Sequence, residues 1–335
     1  MVARDRRFSA GDDVFLSEAT GFAGGSSLRG KTADAPLLIH VQAGPGLPII
    51  PEADAMGKLL HLEDHFLVAY WDQRGCGKSF STQVDPKSIN FSQLSNDIIT
   101  CTKYLLGKYS KHTAIVVGYS IGATTSLMAA VKQKDLFSNL FLVGIDIDIP
   151  TANVFAIDFA MKGASQRNNR KMIKNLEELK GAPITDAKRF QQRAKILTDL
   201  EGIKVGSSYA QLVFSTIKNM LLCKSYTIRD IVKTIRGMEF CQNALLNELN
   251  ALNLFKIISS VDVPVHFIHG KCDGVSPYDI AISFYNHLKA RQKQFTTFEA
   301  SAHMPHYDES GKFAELLIEH ALNEDIAVEN KKSAL

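Results

Sequence analysis

The sequence has no long apolar segment and no excess of one charge. No apolar run reaches the roughly 18 residues that a membrane-spanning helix requires. Lysine and arginine number 38 against 35 aspartates and glutamates, a formal net charge of +3, and the two signs are interspersed. This pattern predicts neither the basic stripe of a nucleic-acid-binding protein nor the polybasic patch that binds acidic membranes. We therefore expect no nucleic-acid partner and no membrane partner.

Paired cysteine motifs are also missing. The five cysteines contain no C-x-x-C pair and no Cys/His spacing typical of zinc sites, so they predict neither a metal site nor a disulfide framework. Reduced thiols are the expected state of such residues in the cytosol. The first residues of the chain lack the apolar segment of a secretory signal. A cytoplasmic location is therefore predicted.

Two glycine-rich segments fall short of nucleotide-binding motifs. Residues 75–79 end like a P-loop, but Asp72 stands where that motif requires its first glycine. Residues 44–46 begin like a dinucleotide-binding fingerprint, but Ile49 occupies the position of the third glycine. We expect no nucleotide, no other organic cofactor and no metal.

Hydrophobic periodicity predicts a parallel sheet with a helical insertion. The chain has 335 residues, and strand-like apolar runs occur at 37–41, 66–70, 114–117, 140–145, 264–269 and 294–299, with a shorter strand at 14–18. Such near-continuous apolar runs are typical of strands that are buried on both faces. A helix is predicted over residues 92–107.

Between residues 150 and 259 the strand signals vanish. Helical patterns follow one another there, at residues 167–180, 186–200, 209–222 and 227–237. A crossover between parallel strands needs only one helix, so this length favours a separate cap. The predicted organisation is a core of residues 1–149 and 260–325, a helical cap of residues 150–259 and a polar tail of residues 326–335.

The most informative motif is Gly-Tyr-Ser-Ile-Gly at residues 118–122. It stands between an apolar strand pattern and a run of helix formers, which is the setting of a nucleophile elbow. In that turn the serine hydroxyl is raised above the sheet, and the flanking glycines let strand and helix approach closely. Ser120 is thus the candidate nucleophile.

A serine hydroxyl needs a general base and a carboxylate that orients the base. In this architecture the three residues follow in the order Ser, Asp, His. Asp273 lies on a loop after a strand pattern, and His303 follows the last β-rich run. They are the candidate acid and base.

Other residues compete for these two roles. His306 is the alternative base, whereas His266 and His269 lie within a strand pattern and favour structural roles. Asp146 and Asp148 end the strand that follows the elbow helix, and either one is an alternative acid.

An oxyanion hole requires two backbone donors. One is expected to be the N–H of Ile121, directly after the nucleophile, and the other an N–H from the loop after the third strand. That loop is Gln-Ala-Gly-Pro-Gly at residues 42–46, and Gly44 is its candidate donor.

Residues 42–46 resemble the His-Gly-Gly-Pro-Gly oxyanion loop of proline iminopeptidases and their α/β-hydrolase relatives. Residues 71–79 resemble the Asp-Gln-Arg-Gly-x-Gly-x-Ser segment of the same group. The resemblance spans roughly residues 36–303. It implies an α/β-hydrolase fold, with a mostly parallel sheet, helices on both faces and an inserted helical cap. It also implies a serine hydrolase that releases N-terminal residues from small peptides through an acyl-enzyme.

The sequence departs from this group near the predicted site. Gln42 and Ala43 replace its histidine and first glycine, and Tyr119 and Ile121 flank the nucleophile where proline-specific enzymes usually have glycine and tryptophan. Gln42 and Tyr119 are therefore candidates for lining a different substrate pocket. Cap carboxylates hold the substrate ammonium in proline iminopeptidases. The acids offered here, each equally interpretable as helix surface, are Glu177, Glu178, Glu201, Glu239 and Glu248.

Several functions stay open at this point. A carboxylesterase or lactonase on the same scaffold would use the same residues, as would an acyltransferase with an alcohol or amine acceptor. A non-catalytic small-molecule binding protein is a further alternative, although it would be expected to lack part of the triad. In every case the expected partner is a small acyl compound, either a peptide or an ester, and no oligomeric state is predicted.

Overall fold

The computed structural model describes residues 8–17, 22–180 and 184–332. Among these residues the strands are β1 (Phe8–Ser17), β2 (Phe22–Gly30), β3 (Leu37–Val41), β4 (Leu67–Trp71), β5 (Ala114–Tyr119), β6 (Phe137–Val143), β7 (Ser260–Val261), β8 (Val265–Gly270), β9 (Lys289–Ala290) and β10 (Lys293–Phe298). The helices are α1 (Ala53–Leu60), α2 (Phe91–Lys108), α3 (Ile121–Lys132), α4 (Ile149–Gln166), α5 (Arg170–Leu179), α6 (Ala187–Asp199), α7 (Tyr209–Leu222), α8 (Ile228–Ala251), α9 (Leu254–Ile257), α10 (Tyr278–His287), α11 (Pro305–Asp308) and α12 (Ser310–Lys332).

One large, mostly parallel sheet organises the molecule. Its strand order is β1-β2-β4-β3-β5-β6-β8-β10, with the antiparallel pairings confined to β1, β2 and the contact of β2 with β4. β5 lies between β3 and β6, and Val116 pairs with Ile39 on one side and Leu140 on the other. Strands β7 and β9 form a separate small parallel sheet.

Helices cover both faces of the large sheet. One face packs against α2, α3 and α10 through residues such as Leu127 and Phe284. The other packs against α1 and α12 through residues such as Met56 and Leu317. Burial on both faces explains why β3, β4 and β5 are continuous apolar runs. The predicted fold class is confirmed.

The predicted strands coincide with β3, β4, β5, β6, β8 and β10, and their ends differ by at most three residues. The predicted helix at 92–107 is α2. β1 includes residues 14–17 of the shorter predicted strand, while Glu18 lies outside the described residues. α12 includes residues 326–332 of the predicted polar tail, and residues 333–335 lie outside the described part.

The helices α4 to α9, which we call the inserted helices, occupy the chain between β6 and β7. α8 continues well beyond Gly237, where the sequence predicted its end. A Cβ at Gly237 would lie 2.5 Å from the carbonyl oxygen of Gly75, so this glycine permits a close approach of the helix to the loop after β4. α4 was not among the predicted helices. Pro150 stands in its first turn, where the missing N–H costs nothing, and Asp148 caps the helix.

A buried ion pair secures the loop after β4. Arg74 donates through Nε and Nη2 to the two carboxylate oxygens of Asp97, both at 2.7 Å, and both side chains are buried. Two parallel bonds of this kind fix the geometry as well as adding energy.

Asp97→Ala is expected to lower the free energy of unfolding by about 3–5 kcal/mol, because it leaves the Arg74 charge buried without its carboxylate. Urea denaturation of the wild type and the variant measures the difference. Asp262→Ala is the matched control, since it removes an ion pair with Lys134 that is exposed on both sides. Equal, small effects of the two substitutions would show that the buried pair contributes no more than a surface pair.

Among the described helices, none combines the length and the hydropathy that crossing a bilayer requires.

Candidate active site

Ser120 lies at the turn between β5 and α3. Its backbone has φ 55° and ψ −122°, a strained conformation for a residue with a side chain. The flanking glycines are required by close contacts. A Cβ at Gly118 would lie 2.6 Å from the Cα of Ala123, and one at Gly122 would lie 2.3 Å from the carbonyl oxygen of Gln42. The local geometry is that of a nucleophile elbow.

The two candidate oxyanion donors lie near this elbow. Ile121 is the first residue of α3, where backbone N–H groups have no acceptor within the helix and the helix dipole favours negative charge. Gly44 follows two residues after Gln42, whose carbonyl group touches the elbow at Gly122.

His303, which is largely buried, and Asp273, which is fully buried, form a pair at the carboxyl end of the sheet. His303 Nδ1 lies 2.8 Å from Asp273 Oδ2. The other oxygen of Asp273 accepts from the backbone N–H groups of Val275 and Ser276 at 2.8 and 2.9 Å. A Cβ at Gly144 would lie 2.9 Å from His303 Nδ1, so glycine at the end of β6 makes room for the imidazole.

The electrostatics of this pair favour an ionised acid and a basic imidazole. Burial alone would raise the pKa of Asp273, but the neighbouring His303 and the hydrogen bonds it accepts hold that pKa below its ordinary value. Burial alone would lower the pKa of His303, but the charges of Asp273 and Asp146 raise it.

Asp146 is in contact with the nucleophile itself. Ser120 Oγ donates to Asp146 Oδ2 at 2.8 Å, and Ser276 Oγ donates to Asp146 Oδ1 at 2.9 Å. Burial raises the pKa of Asp146. Among the described contacts, the Ser120 hydroxyl makes this hydrogen bond and none to His303. Asp146, the alternative acid, therefore bonds to the serine and not to a histidine.

The remaining competitors have other surroundings. His306 is buried, and the centroid of its ring lies 4.4 Å from the centroid of the Tyr119 ring. Burial holds the pKa of His306 well below the ordinary value. His269 Nε2 lies 2.8 Å from the carbonyl oxygen of Ser276 and 3.5 Å from Asp273 Oδ2, beneath the acid loop. Asp148 caps α4 and accepts from Asn253 at 2.9 Å.

The two predicted pocket residues, Gln42 and Tyr119, are both buried. With its amide oriented to satisfy both ends, Gln42 donates to the carbonyl group of Trp71 at 3.1 Å and accepts from the N–H of Gln73 at 2.7 Å. The Tyr119 hydroxyl lies 3.0 Å from His40 Nδ1. Their polar groups are therefore engaged inside the core.

The carboxylates predicted to bind the substrate ammonium, four on α5 and α8 and Glu201 in the turn after α6, are all exposed: Glu177, Glu178, Glu201, Glu239 and Glu248. Glu248 accepts from the backbone N–H of Phe91 at 2.7 Å, and Glu201 lies 3.4 Å from Arg167. Among the described contacts none of the five reaches Ser120 or His303.

Sequence reasoning missed Ser276 and Arg193. The N–H of Ser276 bonds to the Asp273 side chain three residues earlier, a local turn that aspartate favours, so this role had a sequence signal. Arg193 is one of many basic residues on the inserted helices, and only packing brings its charge near Asp146 and Asp273. Within the described residues no group of His, Cys, Asp and Glu is arranged to hold a metal ion.

These features define a class. A mostly parallel sheet with helices on both faces, a strained serine between strand and helix, and a buried His–Asp pair at strand ends are those of an α/β-hydrolase.

Comparisons with known proteins agree with this class and assign the chain to one family within it. Residues 59–310 match the sequence model of the family described as serine aminopeptidase, S33. The chain belongs to this family and is a serine hydrolase, which disfavours a non-catalytic binding protein.

One curated relative and two solved structures illustrate the similarity. The "Probable aminopeptidase YbaC" of Bacillus subtilis is 29% identical over 295 residues, covering 88% of this chain and 91% of the relative. The proline iminopeptidase of Mycobacterium smegmatis has a TM-score of 0.67 at 14% identity, covering 95% of this chain and 100% of that one. An esterase of Exiguobacterium antarcticum has a TM-score of 0.58 at 16% identity, covering 92% and 98%. At these identities the two structures support the fold alone.

Proposed function

We propose that the protein hydrolyses small acyl compounds through an acyl-enzyme on Ser120. The observation that carries this proposal is the strained serine elbow beside the buried His303–Asp273 pair, joined at 2.8 Å. In this account His303 is the general base, and Asp273 holds the imidazole and stabilises its cation.

The reaction begins when the Ser120 hydroxyl turns from Asp146 towards His303. His303 takes the proton as Oγ attacks the acyl carbon, and the carbonyl oxygen becomes an oxyanion held by the N–H groups of Ile121 and Gly44. The intermediate collapses, the bond to the leaving group breaks, and His303 donates its proton to that group. Water then repeats the sequence, releasing the acid and restoring the Ser120 hydroxyl.

We also propose that the inserted helices form the predicted cap over this site, as residues 150–259. Three contacts with the sheet loops support this arrangement. Gly202 accepts from the N–H of Gly274, next to Asp273, at 2.8 Å. Tyr226 donates to Asp72, and Gly237 lies against Gly75. A cap held in this way would limit the access of water to the acyl-enzyme.

Aminopeptidase activity on small peptides is the first candidate specificity. It is supported by membership of the serine aminopeptidase family and by the name of the Bacillus subtilis relative. Ester hydrolysis is the second, and a specific observation favours it: the five predicted ammonium-binding carboxylates are all exposed. The expectations of a cytoplasmic location and of no nucleic-acid or membrane partner stay predictions.

A direct comparison of kcat/KM for prolyl p-nitroanilide and p-nitrophenyl butyrate tests these candidates, with Ser120→Ala as the blank. Ser120-dependent cleavage of the anilide is expected if a carboxylate binds the substrate ammonium. Ester cleavage without anilide turnover would support the esterase. No Ser120-dependent cleavage of either substrate would contradict the proposed chemistry.

A further inference from the structure

A cavity of about 420 Å³ lies among α4, α5, α6 and α8. Its wall is partly apolar, with side chains such as Val154 and Ile157. The charged residues that line it are Lys180, Arg189, Arg193 and Asp158, which is three cations against one anion. The cavity therefore suits a ligand that combines an apolar part with a negative group.

Among the described cations of this cavity, Arg193 is the one with an enclosed side-chain nitrogen that makes no hydrogen bond. It is partly buried in α6, and its Nε is enclosed and makes no hydrogen bond. Among the described residues no carboxylate forms an ion pair with its guanidinium group. A charge withdrawn from water in this way is costly to leave unpaired, so a ligand anion would stabilise it.

Short connections along the chain link the cavity to the candidate active site. Pro150 lines it and follows Asp146 by four residues, so a fully extended chain would place the two at most about 14 Å apart. The end of α6 is attached to the acid loop by the bond between Gly202 and Gly274. Neither Ser120 nor His303 lines the cavity itself.

The charge of Arg193 affects the pKa of the triad histidine. Burial lowers the pKa of Arg193 to about 10, against the opposing influence of Asp146 and Asp273, so it remains a cation at neutral pH. In turn its charge acts to lower the pKa of His303. Arg193 therefore supplies positive charge near the triad, whereas an aminopeptidase would need negative charge to bind a substrate ammonium.

We propose that Arg193 binds a carboxylate of the substrate, so that the enzyme prefers acyl compounds that carry one. Its planar guanidinium can pair with a carboxylate through two parallel hydrogen bonds, while the apolar wall contacts the carbon chain. The inference rests on the proposed hydrolytic function for its chemical step. The carboxylate belongs either to the acyl part or to the leaving group, as in the C-terminus of a dipeptide.

Two matched substrate pairs distinguish these sources. Monoethyl adipate against ethyl hexanoate places the carboxylate on the acyl side. Alanyl-alanine against alanyl-alanine amide places it on the leaving side. In at least one pair the wild-type kcat/KM is expected to be higher for the carboxylate. Arg193→Met is expected to lower the ratio of the two constants about 10–100-fold, the scale of a hydrogen bond to a charged group.

Two further variants control this experiment. Arg193→Lys is expected to recover part of the ratio, because lysine keeps the charge without the planar fork. Arg236→Met, which removes an exposed arginine from α8, is expected to keep the wild-type ratio. A wild type without preference in either pair, or equal losses by Arg193→Met on both members of the pair in which the wild type shows a preference, would overturn the inference.

Failure of the hydrolytic proposal can be recognised separately. It would appear as no Ser120-dependent turnover of the neutral esters either. Calorimetry of adipate binding to the wild type and to Arg193→Met then tests whether Arg193 binds a carboxylate. Binding that is lost in the variant supports it, and binding that is absent or unchanged overturns it.

Discussion

Replacing Ser120 by alanine is expected to lower kcat on p-nitrophenyl butyrate by about 10⁴–10⁶-fold, the range found when a member of such a triad is removed. The variant keeps the backbone donors of the elbow but has no Oγ with which to form the acyl-enzyme. Residual turnover over water would come from binding and from the Ile121 and Gly44 donors.

Ser283→Ala is the matched control. Ser283 lies on α10, where its hydroxyl donates to the carbonyl group of Asp279 at 2.7 Å, and the same chemical change there is expected to leave kcat unaltered. Circular dichroism of both variants shows whether each is folded. A folded Ser120→Ala protein with wild-type kcat would mean that another group attacks the substrate.

The second large effect is expected from Asp273→Asn, which should lower kcat about 10⁴-fold, because an amide neither holds the required imidazole tautomer nor stabilises its cation. The pH dependence should change as well. Asp273 raises the pKa of His303, and the base must be neutral to accept a proton. The midpoint of the rise of kcat/KM with pH is therefore expected above the ordinary histidine pKa in the wild type and at lower pH in the variant.

Asp146→Asn separates the two candidate acids. Asp146 also raises the pKa of His303 through its charge, but among the described contacts its carboxylate bonds to Ser120 and Ser276 and not to the imidazole. The variant should therefore lose less kcat, and shift the pH profile less, than Asp273→Asn. The reverse order would assign the role of triad acid to Asp146.

The parts of the fold that the sequence predicted are those where local chemistry and tertiary structure coincide. Strands β3 to β6 are buried on both faces, so their apolar character was visible without any neighbour. The elbow was also visible in the sequence, because Gly118 and Gly122 stand at backbone contacts that no other residue permits. Asp273 and His303 were found by chain order, and they lie within hydrogen-bonding distance.

The parts that it did not predict depend on packing between distant segments. Gly237 indicates a helix end by propensity, yet α8 continues through it, because the glycine lies against the loop after β4. Among the charged residues of the inserted helices, sequence pattern does not distinguish one that lines a cavity from those at the surface. The glutamates singled out are at the surface, whereas Arg193 lines the cavity.

The most direct test of the central claim is to locate the covalent adduct that a fluorophosphonate forms with the protein. Peptide mass spectrometry of the labelled wild type, Ser120→Ala and His303→Ala proteins identifies the modified residue. The account predicts one phosphonyl group, on Ser120, that is absent from Ser120→Ala and forms far more slowly in His303→Ala. An adduct on a different residue, or labelling of Ser120 that does not depend on His303, would contradict it.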